Sequence, residues 1–301
     1  MTGTAGARTD PGGRVDARRL RRRKAMSRVM LALSGGAAVL AVVPLVWIIG
    51  FVVLHGVPAF SLDFLTNAPT PVGVPGGGVG NAIVGSAITV GIGLVIAAPI
   101  GLLAAIYVAG RSQGVLTTTI RFATDTLAGV PSIVMGIFAY TVVVLPQRHF
   151  SALSGGIVLA FIMLPIIIRS TEEMLKLVPG SLREASLALG AAEWRTWLRI
   201  LLPAAGSGIL TGIMLAVARA AGEAAPMLFT AFGNPFFSVD LDQPVATLPH
   251  TIYVYAISPY EDWKAKAWAT ALVLITLVLI LNVSARLLTS WRARRLGVVV
   301  R

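Results

Sequence analysis

The sequence predicts an all-α, polytopic membrane protein with six transmembrane helices and both termini cytoplasmic. Three observations predict it. Apolar residues fill 56% of 301 positions and charged residues only 13%, whereas soluble domains run near a quarter charged; mean hydropathy is +0.82. The apolar residues gather into six runs, each close to the roughly 20 residues that a helix needs to cross a bilayer. Lys and Arg fall on alternate connections, 21 of 25 on the side of the N-terminus and only Arg148, Lys264 and Lys266 on the other. By the positive-inside bias the first side is cytoplasmic.

The same composition excludes several classes of function. A net charge of +12 would suggest nucleic acid in a soluble chain, but topology accounts for it here, and no nucleic-acid partner is expected. The chain has no cysteine, which rules out disulfides and thiolate metal sites. His55, His149 and His250 are far apart on expected outer loops, so no metal centre is expected either.

In chain order, residues 1–28 lack apolar periodicity and end in RRLRRRKAMSR, which predicts a disordered basic cytoplasmic tail lying on anionic lipid. The membrane domain occupies 29–301. Its first apolar run, Val29 to Leu54, is too long for a signal-peptide core of about 7–15 residues and is expected to remain as the first span. The Pro- and Gly-rich stretch 55–80 is an outer loop. Its Gly76, Gly77, Gly78 and Gly80 are followed by no Gly-Lys-Ser/Thr, so there is no Walker-type nucleotide site, and any use of ATP must come from a partner.

Further spans are expected at 81–109, 125–146, 154–170, 204–230 and 268–290. The third contains Asp125, Gly129, Pro131 and Gly136, which weaken a helix. Such breaks survive in a bilayer beside packed protein or a water-filled cavity, and either reading fits. In the fifth span, Gly208 with Gly212 and Ala218 with Gly222 provide small residues at four-residue spacing for close helix packing. The outer loop 231–267 carries Asp240, Asp242, Glu261 and Asp262 with Tyr253, Tyr255, Tyr260 and Trp263, which suit an extracytoplasmic partner or the membrane interface.

Two pairs of charges stand inside or beside the spans. Arg219 lies about 22 Å along the fifth span from Ala204, past the midplane, with Glu223 four residues on. An arginine so placed marks a functional site by default, and its forked donors suit tetrahedral oxyanions; a structural salt bridge is the alternative. Arg169 and Glu172, three apart at the inner end of the fourth span, form a second couple, read as an anion station or as a positive-inside anchor.

The remaining charged segment, Ser181–Pro203, interrupts the apolar runs on the cytoplasmic side. Ser181 and Glu184 have capping-box spacing, Gly190 suits the position just past a helix end, and Trp194, Trp197, Leu198 and Leu201 recur as one helical face. Pro203 is expected to mark the joint with the next span.

Glu184, Ala185, Ser186, Gly190, Ile200, Leu201, Leu202 and Pro203 stand at the spacing of the EAA loop, and the segment resembles that loop of ABC-importer permeases, with Ser186 in place of the second alanine. GGGVGNAIVGS (76–86), LAGVPSIVMGIFAY (127–140), LPIIIRSTEEML (164–175) and ARAAGEAAPMLFTA (218–231) are similar to the PstA-type permease family of phosphate-specific importers. The resemblance implies a type I ABC-importer permease fold in a bacterial inner membrane. It implies a non-catalytic transport subunit with Glu184, Ala185, Ser186, Gly190, Ile200, Leu202 and Pro203 in a coupling loop at 181–203, and Arg169, Glu172, Arg219 and Glu223 on the phosphate pathway. Its implied partners are a second, PstC-like permease, two PstB-like ATPase subunits that bind the ATP and Mg, and a PstS-like extracytoplasmic phosphate-binding protein. A sulfate or molybdate permease, or an ion-coupled secondary carrier, are the competing readings.

Overall fold

The computed structural model describes the backbone of residues 17–111 and 113–295. Residues 1–51 and 52–301 form two units. The described part of the first is one helix, α1 (Ala17–Gly56), whose final turn passes into the second. Residues 17–28, expected within a disordered tail, are therefore helical. Once the apolar span has nucleated a helix, adding residues costs little, and Arg, Leu, Lys and Ala are good helix formers. Residues 1–16 lie outside the described residues.

The second unit begins with a short helix, α2 (Leu62–Thr66), started by Ser61, whose side chain accepts a hydrogen bond from the Phe64 amide. Then come α3 (Gly80–Gly110), α4 (Val115–Gly129) and α5 (Ser132–Gln147). Next are α6 (Ala152–Lys176), α7 (Gly180–Ala188) and α8 (Glu193–Ala221). The chain closes with α9 (Met227–Thr230), α10 (Leu248–Ala256) and α11 (Glu261–Arg295). Among the described residues five helices are long and apolar enough to span, and α4 with α5, bent by 107° at the break, adds a sixth if the pair counts as one span.

Helix α6 is central, packed against α3, α8, α4 and α5. It starts in a capping box in which Ser151 and Ser154 each bond the other's backbone N–H, and Val158, Leu159, Met163 and Ile167 fill the core. The close approach expected of Gly208 and Gly212 is present: a Cβ on Gly212 would sit 2.1 Å from Ser170 Oγ, and one on Gly208 2.2 Å from Met174 Sδ. This contact fixes the axial register of α8 on α6.

Three expected boundaries move. Helix α4 begins ten residues before the expected third span, so Arg121 is helical and not in a loop, and the break falls at Gly129–Pro131. Pro131 has no N–H and biases Val130 to extended backbone, where it has ψ 129°. Pro203 marks no joint: α8 runs through it, widened to a π-turn over Trp197–Leu201, which accommodates the proline ring against the preceding turn. The fifth span does not run to 230. It stops at Ala221 because Pro226 cannot continue the hydrogen-bond ladder, and the chain turns through 222–226 before α9.

Candidate functional site

The break between α4 and α5 opens onto a cavity of about 530 Å3. Val130 and Ser132 line it at the break, Pro165, Arg169, Ser170 and Glu173 line it from α6, Arg219 from the last turn of α8 and Glu223 from the turn after it. Both readings of the broken span hold in part: Val130 and Ser132 face this cavity, while Gly136 packs closely against Pro226 and Phe229. Arg219 occupies the last turn of α8, where free carbonyls and the negative end of the helix dipole favour a cation. Its Nη2 lies 3.4 Å from Glu223 Oε1, with the arginine side chain 62% exposed and the glutamate 15%. The guanidinium is thus reachable from the cavity while partly neutralised from behind.

The Gly212 to Ser170 contact places Arg169 level with about residue 213 of α8, so Arg219 stands roughly 10 Å further along the axis. Two guanidiniums therefore face one cavity at staggered depths.

Arg169 does not pair with Glu172. Its Nη2 bonds Asp125 of α4, and Glu172 instead accepts from Arg121 Nη2 at 2.8 Å and from Lys176 Nζ at 2.5 Å. Arg169 and Glu172 share a face turned towards α4, where the register sets Asp125 against the first and Arg121 against the second. The two cross-helix pairs lie one turn apart on antiparallel helices and line a smaller cavity of about 190 Å3. Of the four expected pathway residues, Arg169, Arg219 and Glu223 share the larger cavity, and Glu172 lies in the adjoining ion-pair cluster. Arg121 and Glu173 were missed. The signal for the first was its four-residue spacing from Asp125, and for the second its four-residue spacing from Arg169.

The segment 181–203 folds as two helices joined by a tight turn. Gly190, at φ +79°, closes α7 in a Schellman motif: its N–H bonds the Leu187 carbonyl at 2.9 Å and the Ala191 N–H bonds that of Ser186 at 3.2 Å. The buried Ser186 Oγ lies 2.8 Å from Thr196 Oγ1, and Arg183 reaches Glu193 at 2.6 Å. Both links join α7 to α8 across the turn. The expected capping box is absent. Helix α7 starts at Gly180 behind Pro179, with no side-chain cap, so Ser181 is already inside the first turn. Glu184 and Ala185 are exposed.

The expected single face of Trp194, Trp197, Leu198 and Leu201 divides because the π-turn shifts the helical phase. Leu201 is buried and Trp197 packs on the same cluster, while Trp194 and Leu198 stay exposed with Leu182, Leu187 and Leu189. Ile200 and Leu202 are half-buried and Pro203 is exposed.

The aromatic residues of loop 231–267 pack largely on one another. Tyr255 is buried and its ring centroid lies 4.9 Å from that of Trp263. With Phe236 and His250 they line a pocket of about 520 Å3. Burial holds the His250 imidazole below its ordinary value. The unfolded chain then takes up a proton near pH 6.5 before the folded one does, so folding stability falls as pH drops through that value. His250→Phe should flatten this acid slope in thermal melts of the detergent-solubilised protein, and an unchanged slope would place its origin elsewhere.

Residues 97–295 match the model of the family described as binding-protein-dependent transport system inner membrane component. Over 268 residues the chain is 46% identical to the phosphate transport system permease protein PstA of Yersinia pestis, covering 88% of this chain and 90% of that one. It is 44% identical over 267 residues to the protein of the same name in Haemophilus influenzae, covering 88% and 94%. It is 35% identical over 280 residues to PstA 1 of Mycobacterium tuberculosis, covering 91% of each. Among solved structures, an inward-facing MetNI methionine ABC transporter superposes with a TM-score of 0.58 at 19% identity, over 70% of this chain and 93% of that chain, a likeness of fold. The chain belongs to the family of inner-membrane components of binding-protein-dependent transport systems.

Proposed function

We propose that the chain is the permease subunit of an ATP-driven phosphate importer, forming half of the translocation pathway. One observation carries the reading: a cavity beside a broken helix that presents Arg169 and Arg219 at staggered depths, in a chain whose relatives are named phosphate transport permeases. Guanidinium forks match the paired oxygens of a tetrahedral oxyanion. An anion moving along α8 meets Arg219, which Glu223 engages only at 3.4 Å, and then Arg169, which it shares with Asp125, so each station offers a guanidinium to the anion.

The chain catalyses no covalent step. Both termini and the loop 181–203 face the cytoplasm, where the exposed Leu182, Leu187, Leu189, Trp194 and Leu198 seat in a groove of an ATPase subunit that binds ATP and Mg. A second, homologous PstC-like permease supplies the other half of the path, two PstB-like subunits supply hydrolysis, and a PstS-like protein delivers phosphate from outside.

The test is purification of the tagged chain from the bacterial membrane followed by reconstitution of what accompanies it. The expected result is a complex with one further permease and an ATPase that moves labelled phosphate into vesicles only with ATP and the binding protein. A solitary chain, or uptake driven by an ion gradient without ATP, refutes the reading.

A further inference from the structure

We infer that Glu173 is a specificity-determining residue of the anion path, an unpaired carboxylate that accepts a hydrogen bond from a protonated oxyanion and turns away fully ionised ones. The inference rests on the reading of the larger cavity as that path.

Glu173 stands four residues after Arg169 on α6, so both lie on one helical face, and both line the cavity. At the other end, Arg219 is met by Glu223, four residues on, at 3.4 Å. Arg169 and Glu173 have the same spacing, but the guanidinium is taken by Asp125 across on α4. The Glu173 side chain has no hydrogen bond or ion pair among the described residues, and it is exposed.

The cavity therefore offers two guanidiniums and two carboxylates, with a third carboxylate held against Arg169 from the neighbouring cluster. Net charge does not make it attractive to anions. Selection instead follows from which groups donate. A guanidinium has donors only and an ionised carboxylate acceptors only. Sulfate and molybdate, fully ionised near neutral pH, have nothing to offer Glu173 and are repelled by it. Either protonation state of inorganic phosphate present near neutral pH keeps at least one O–H, which donates to Glu173 while its other oxygens accept from Arg169 or Arg219. As the path closes and water leaves, the mismatch for a proton-free anion grows, because a buried charge without a partner is costly.

The test uses the purified importer complex without its binding protein, titrated at equilibrium with inorganic phosphate and with sulfate by displacement of labelled phosphate. The wild type should favour phosphate. Glu173→Gln, which removes the negative charge and adds an N–H donor, should narrow that preference by about tenfold or more, chiefly through tighter sulfate binding, and Glu173→Asp should keep most of it. An equal preference in wild type and Glu173→Gln overturns the inference and leaves the path standing, as does a wild type that binds both anions alike. Loss of the second permease from both variant complexes assigns Glu173 to a subunit contact and overturns it as well. A wild-type complex that binds neither anion overturns the reading of the cavity and the inference with it.

Discussion

Replacing Arg219 by Gln is expected to lower ATP-driven phosphate uptake about a hundredfold while the assembled complex is still recovered, because a charge-assisted bond to an oxyanion is lost. Glutamine keeps the reach of a polar side chain and the turn of α8, so the change is confined to charge and to the forked donors. Arg219 already has a protein partner in Glu223, and a purely structural pair would give the same single-variant loss by leaving Glu223 unneutralised. The double variant Arg219→Gln, Glu223→Gln separates the two. If the pair only holds the turn after α8, the neutral double restores uptake; if Arg219 carries phosphate, the double stays inactive. Uptake kinetics unchanged in the single variant would remove Arg219 from the path altogether.

Gly190→Val is expected to leave ATP hydrolysis running while phosphate uptake falls at least about tenfold. At φ +79° a β-branched residue is strained by about 1–2 kcal/mol, and relief requires the Schellman turn to open. The two helices of the loop would then lose their fixed angle, although the Ser186 to Thr196 and Arg183 to Glu193 links resist. Adding Ser186→Ala should deepen the defect. Glu184→Ala should also uncouple. With no capping box at the start of α7 and Glu184 exposed, the carboxylate holds no cap, so Ser181→Ala is expected to be silent. Tight coupling retained in Gly190→Val would show that the loop angle does not transmit the stroke.

The loop shows how unevenly sequence reports on structure. Gly190 was legible because only glycine enters the left-handed region without strain, so one residue specified the end of α7. Ser181 misled because capping-box spacing is only a local competition for backbone N–H groups, and Pro179, two residues earlier, set the start of the helix first. Pro203 misled for the opposite reason. Proline breaks a helix only when nothing relieves its clash, and the π-turn over Trp197–Leu201 does so.

The sequence by itself determined what depends on composition and local backbone chemistry: an all-helical chain of apolar spans, a weak point in the third span around Gly129, Pro131 and Gly136, the close-packed face at Gly208 and Gly212, and the placing of Arg169, Arg219 and Glu223 in or beside the spans. Bilayer burial leaves few ways to satisfy a backbone, so these features follow from residue order alone. Which charge meets which was decided only by tertiary structure. Spacing paired Arg169 with Glu172, yet docking α4 antiparallel on α6 gave Arg169 to Asp125 and Glu172 to Arg121 and Lys176. Ion pairs form through space and depend on the register of neighbouring helices, here that of α4 on α6, which sets Arg121 opposite Glu172 and Asp125 opposite Arg169. That register also left Glu173 alone at the cavity wall, a consequence no spacing rule contains.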